Sequence, residues 1–202
     1  MDRMEKSISS SRAEPLTSAV SPIAHPLDEF YAQMGKPLPE ICRLEPESVP
    51  EPYKSLLVHT YDMTPTLEKY HGGQLALRVL QREQREQSYW RGVALSLEPV
   101  ERIVEFGAIK INLSLFSAAA RNEILAERFP LGHILEEQKI VHSCRPRAFF
   151  TIRADGYIRT ALLQPRAKLL YGRRNSLLDA DLRSLAEVVE ILPALEPSSA
   201  GG

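Results

Sequence analysis

Residues 88–97, Ser-Tyr-Trp-Arg-Gly-Val-Ala-Leu-Ser-Leu, alternate in the way a β-strand does. Tyr89, Arg91, Val93 and Leu95 share one face; Trp90, Gly92, Ala94 and Ser96 share the other. An arginine therefore stands among apolar neighbours. A guanidinium keeps its charge, so on a buried face it needs an anion or several acceptors. No acid on this strand supplies one. Two readings stay open: Arg91 awaits a ligand carboxylate, or it pairs with an acid elsewhere or reaches water at a sheet edge.

The neighbouring segments extend the pattern. Residues 74–80 alternate Leu75, Leu77 and Val79 against Ala76, Arg78 and Leu80, a second strand. Glu98-Pro99 turns the chain, and 100–111 returns as an antiparallel strand. Before these, Thr64-Pro65 followed by Glu68 predicts a helix start, and His71-Gly72-Gly73 a helix end. Residues 115–128 predict a helix, stopped by Pro130-Leu131-Gly132. Residues 138–143 predict a strand-like stretch. Residues 148–153 and 157–164 predict a hairpin about Asp155-Gly156. Residues 179–192, with Leu182, Leu185, Val188, Val189 and Leu192, predict a last helix. Arg173 and Arg174 read as a solvated loop before it. The fold class expected is α+β, with a single, mainly antiparallel sheet flanked by helices.

Residues 1–26 are expected to be a mobile tail, 27–52 a short helix followed by a proline-rich arm, 53–195 the domain, and 196–202 a second tail. A chain of 202 residues with a net charge of -1 lacks the basic surplus of a nucleic-acid binder. No apolar run reaches membrane length. Two cysteines, Cys42 and Cys144, and five scattered histidines show no metal-ligand spacing. No metal, organic cofactor, nucleic acid or membrane is therefore expected, and the reducing cytoplasm is the expected location. The oligomeric state is left open.

Several pieces together resemble the chorismate pyruvate-lyase family, which forms 4-hydroxybenzoate and pyruvate from chorismate. They are Leu56-Leu57 with Asp62-Met63-Thr64, the Tyr89-x-Arg91-x-Val93-x-Leu95 strand, and Pro130-Leu131-Gly132, spread over about residues 55–170. The resemblance implies an internal ligand pocket closed by helical flaps. It implies that Arg91 binds a carboxylate and that the backbone at Leu131 lines the product site. Met63, Tyr89 and Gly132 join the expected ligand-binding set. The implied ligand is chorismate or a related aromatic or enol-ether acid, in secondary metabolism.

One departure follows from that comparison. The family's acid sits in Thr-Glu-x-x-x-Pro, and this chain reads Thr160-Ala161-Leu162-Leu163-Gln164-Pro165. Ala161 thus takes the acid's place, so the catalytic residue is left unassigned and the enzyme reading open. Glu136, Glu137 or Asp155 is the alternative acid. Arg159, two residues earlier on the same predicted strand, either faces the ligand beside Arg91 or reaches solvent. His133 is either a ligand donor or an exposed loop residue. The alternatives to a lyase are other chemistry on a carboxylic acid, or a non-catalytic small-molecule binding module.

Overall fold

The computed structural model describes residues 23–195. The elements run α1 (Leu27–Gln33), β1 (Ile41–Leu44), α2 (Tyr53–Leu57), α3 (Met63–His71), β2 (Leu75–Arg85), β3 (Ser88–Leu97), β4 (Arg102–Asn112), α4 (Ala118–Ala126), α5 (Leu131–Glu137), β5 (Ser143–Arg153), α6 (Gly156–Ala161), β6 (Leu169–Leu178) and β7 (Ser184–Leu192). The seven strands form one sheet in the order β1-β5-β6-β7-β4-β3-β2, with every neighbouring pair antiparallel. This is the α+β class expected from the strand alternation. No helix among the described residues is long and apolar enough to cross a membrane.

The two faces of the sheet are packed differently. One face carries a continuous core in which Trp90, Ala94, Phe106, Ala108, Val189 and Ile191 meet α1 and α6. The other face carries two separate cores. One gathers Tyr89, Ile109, Ile111 and Val188 under α4 and α5; the second gathers Leu95, Leu97 and Phe149 under α2 and α3. The gap between them is where the polar side chains of that face collect.

Three expectations about elements are corrected. The stretch 179–192 is a strand, not a helix: β7 lies between β6 and β4. A central strand covered on both faces reads as a nearly continuous apolar run, which cannot be told from a buried helix by spacing. Residues 169–178, taken as a loop because of Arg173-Arg174, form β6. Both arginines pair with acids of β7, Arg173 with Glu190 and Arg174 with Glu187. Asp155-Gly156 is not a hairpin turn. The Asp155 carboxylate accepts from the Ile158 N–H at 2.9 Å and caps α6, so the partner of β5 is β6.

Smaller differences concern the ends. Asp62, not Thr64, stands at the N-cap of α3, while Gly72 closes that helix in the left-handed conformation at φ 71°. Pro130-Leu131-Gly132 opens α5 rather than only ending α4. Residues 23–26 belong to the folded body: Ala24 is buried and His25 sets its ring against Trp90. The arm's β1 lies along the sheet edge against β5. Residues 1–22 and 196–202 of the two expected tails lie outside the described residues.

Candidate functional site

Register builds the floor of the site. Arg91, Ile109, Val188 and Asn175 stand opposite one another across β3, β4, β7 and β6. The next row on the same face is Val93, Gly107, Glu190 and Arg173. Glu105 follows on β4, opposite Leu95. Period-two alternation puts all of these side chains on one face. The starts of α3 (Met63, Thr64) and α5 (Leu131, Gly132), with Asp62 and Pro130, form the roof. They enclose a cavity of about 70 Å³.

Arg91 is the most exacting group in this cavity. It is 1% exposed. Its one hydrogen bond is Nη1 to the Ile124 carbonyl at 3.5 Å, at the edge of bonding distance, and its Nε has no partner. Among the described residues it forms no ion pair. Glu127, the nearest source of negative charge, is engaged by Arg82 at 2.5 Å and by the Tyr89 hydroxyl. Burial weakens the arginine's hold on its proton, yet a guanidinium stays charged.

Two further cavity atoms share this condition. Glu105 Oε2 and Asn175 Oδ1 are buried and accept no hydrogen bond. Burial, and then the charge of Glu190, push the Glu105 carboxyl well above the ordinary carboxylate range; Arg173 pulls the other way. The neutral acid is thereby favoured, and a neutral carboxyl can donate as well as accept. Gly107 makes room for it: a Cβ there would stand 3.1 Å from Glu105 Oε1 and 3.2 Å from Val93 Cγ2.

Arg173 is also wholly buried, but it is satisfied. It pairs with Glu190 and donates to the carbonyls of Leu57 (3.2 Å), His59 (3.1 Å) and Tyr61 (3.3 Å). It thus fastens the loop between α2 and α3 to the sheet, which sets Asp62 and Met63 over the cavity. Asp62 accepts from Cys144 Sγ at 3.0 Å and faces His142 Nε2 at 3.0 Å. Burial works against its charge, but these two contacts win and hold its carboxyl below the usual range. Burial and Asp62 push the Cys144 thiol up to about 12.

The expected site residues divide into two groups. Arg91, Met63, Leu131 and Gly132 line the cavity together. Tyr89 sits beside it, its hydroxyl turned to Glu127. Arg159 and Ala161 are elsewhere. Both lie on α6, against the opposite face of the sheet, because the segment is a helix and not the second arm of a hairpin. Arg159 donates to the Ala154 carbonyl at 3.0 and 2.7 Å. Ala161 is buried in the core of that face. The argument that the cavity has lost its acid is therefore corrected: Glu105, Glu190 and Asp62 all line it. Glu136 and Glu137 are exposed, and Asp155 caps α6. His133 is bonded to Glu68 at 2.9 Å, tying α5 to α3.

Sequence reasoning missed Glu105, Asn175, Arg173 and Glu190. Glu105 carried the same signal as Arg91, a charge on an apolar alternating face beside Gly107, Ile109 and Ile111. The others were hidden once β6 and β7 were read as loop and helix.

No family model and no curated protein matches the chain. Solved structures do. PhnF from Mycobacterium smegmatis matches at 10% identity over 70% of this chain and 71% of that one, with a TM-score of 0.52. The effector domain of the same protein matches at 10% identity over 66% and 88%, with a TM-score of 0.50. A transcriptional regulator of the GntR family from Bacillus cereus gives 10% identity, 63% and 99% coverage and a TM-score of 0.42, too low to carry an argument. At these identities the likeness shows the fold alone, and that fold is shared with an effector domain. Membership of the chorismate pyruvate-lyase family is thus corrected. No family or sequence match supports it, and the similar structures are an effector domain and regulators.

Proposed function

We propose that this chain is a small-molecule binding domain whose ligand is a small organic carboxylate held by Arg91. The observation that carries the reading is the set of three cavity atoms left without partners: Arg91 Nε, Glu105 Oε2 and Asn175 Oδ1. Buried polar groups are nearly always bonded, and each one left bare costs about 1–3 kcal/mol. Three on one cavity wall describe the complement of a ligand. Arg91 offers donors to a carboxylate. A protonated Glu105 offers a donor and Asn175 Oδ1 an acceptor, together suited to a hydroxyl at the ligand's far end. The backbones of Arg91 and Asn175 are three strand spacings apart, about 14 Å, and the long arginine side chain shortens the span to that of a small acid. The start of α3 adds the positive end of its dipole to the roof. Binding without bond cleavage is favoured because this fold also serves as an effector domain.

Titration calorimetry of the full chain with benzoate, 4-hydroxybenzoate and 4-hydroxyphenylacetate, each against its neutral amide, tests this. At least one acid is expected to bind, with its amide more than about tenfold weaker, since a charge-assisted bond contributes roughly 1.5–3 kcal/mol. Arg91→Met should abolish that preference. Absence of binding by every acid, or an amide that binds as well as its acid, overturns the reading.

A further inference from the structure

We infer that Asp62, His142 and Cys144 form a binding site for a divalent transition-metal ion of the zinc class, sharing Asp62 with the cavity wall. The donor atoms of the three residues all lie within 4.8 Å of one another. His142 Nε2 stands 3.0 Å from both carboxylate oxygens of Asp62, and Cys144 Sγ 3.0 Å from one of them. Tetrahedral geometry with metal–ligand bonds of about 2.0–2.3 Å needs donors roughly 3.3–3.7 Å apart. Small side-chain rotations reach it.

The histidine supplies a second, independent observation. His142 Nδ1 lies 2.8 Å from the Ile140 carbonyl oxygen, which can only accept, so Nδ1 carries a hydrogen. The neutral ring then turns the lone pair of Nε2 toward a carboxylate. Two lone-pair groups facing each other at that distance require a cation between them. A backbone carbonyl on the far ring nitrogen is also the usual outer support of a metal-bound histidine. Asp62 points the same way. It occupies the N-cap of α3, yet its carboxylate accepts no helix N–H and is turned to His142 and Cys144 instead.

The donor set decides the metal. Thiolate, imidazole and carboxylate together suit zinc or cobalt, not magnesium or calcium. Arg173 is close enough to influence Asp62 and Cys144, but Glu190 neutralises it, so it does not bar a cation. Three protein ligands leave a fourth position open. The site escaped sequence reasoning because Asp62 is 80 residues from His142, and only β5 and the start of α3 bring them together.

Cobalt(II) titrated into the reduced full chain tests the inference. One equivalent should produce a near-ultraviolet thiolate-to-cobalt band and visible bands of tetrahedral intensity, and zinc should erase both. Cys144→Ser should remove the thiolate band, while Cys42→Ser, at an exposed position, should keep it. His142→Ala should weaken cobalt binding more than about tenfold, and circular dichroism verifies that each variant is folded. Should Cys144→Ser not fold, the His142→Ala and Asp62→Asn titrations decide. A wild-type protein without the thiolate band overturns the inference. So does a band that survives the His142 or Asp62 substitution, or one that depends on Cys42.

Discussion

Glu105 shows how one residue couples the cavity to solution conditions. Its carboxyl is fully enclosed beside Glu190, so its folded-state pKa lies well above the unfolded value. A group raised in this way contributes stability that is complete below its unfolded pKa, and the contribution is lost as pH rises through the folded pKa. The native protein should therefore lose stability as pH climbs from the ordinary carboxylate range. Glu105→Gln keeps the shape and the hydrogen-bonding capacity and removes the titration. Denaturation of both proteins across that range should give a flatter pH profile for the variant, with higher stability than wild type at the alkaline end. Parallel profiles would mean that Glu105 does not titrate as described. The residue scale is also where the sequence spoke most clearly. Arg91 declared itself because a charge interrupted an apolar alternation, whereas Glu105 needed the same rule applied to the next strand.

At the scale of elements, the roof is two helix starts held in close contact. A Cβ on Gly132 would stand 2.8 Å from Thr64 Oγ1 and 2.9 Å from Thr64 Cβ, closer than packed atoms allow. Gly132→Ala must push α5 away from α3, against the His133–Glu68 bond that ties them. Overpacking of this kind typically costs about 1–3 kcal/mol. The variant should melt at a lower temperature and bind its acid ligand more weakly, because the roof sits wider. An unchanged melting point and affinity would show that the two helices are not in tight register. The hairpins of β2, β3 and β4 were legible, since alternation and a proline turn agree with each other. β6 and β7 were not, because two buried ion pairs made one look like a surface loop and burial on both faces made the other look like a helix.

The molecule as a whole separates its two faces by purpose. One side of the sheet is sealed by α1 and α6 over a continuous core; the other is split and holds the cavity. Changes on α6 should accordingly leave the cavity's ligand alone. Arg159→Ala should keep acid binding within about twofold of wild type, since surface changes of this kind are usually worth under 0.5 kcal/mol. Ala161→Glu should destabilise the protein by burying a charge without a partner. A large loss of affinity in folded Arg159→Ala would contradict the division. The antiparallel α+β class followed from the hairpins alone, but the placement of the acid did not. It rested on reading Asp155-Gly156 as a turn, when the same aspartate can equally cap a helix. The account depends above all on Arg91 being a buried charge with no internal counterpart. Denaturant unfolding of ligand-free Arg91→Met tests this most directly. The account predicts an unfolding free energy equal to or above that of wild type, because an apolar side chain replaces an unpaired charge. A loss of about 3 kcal/mol or more, the mark of a broken internal ion pair, would contradict it.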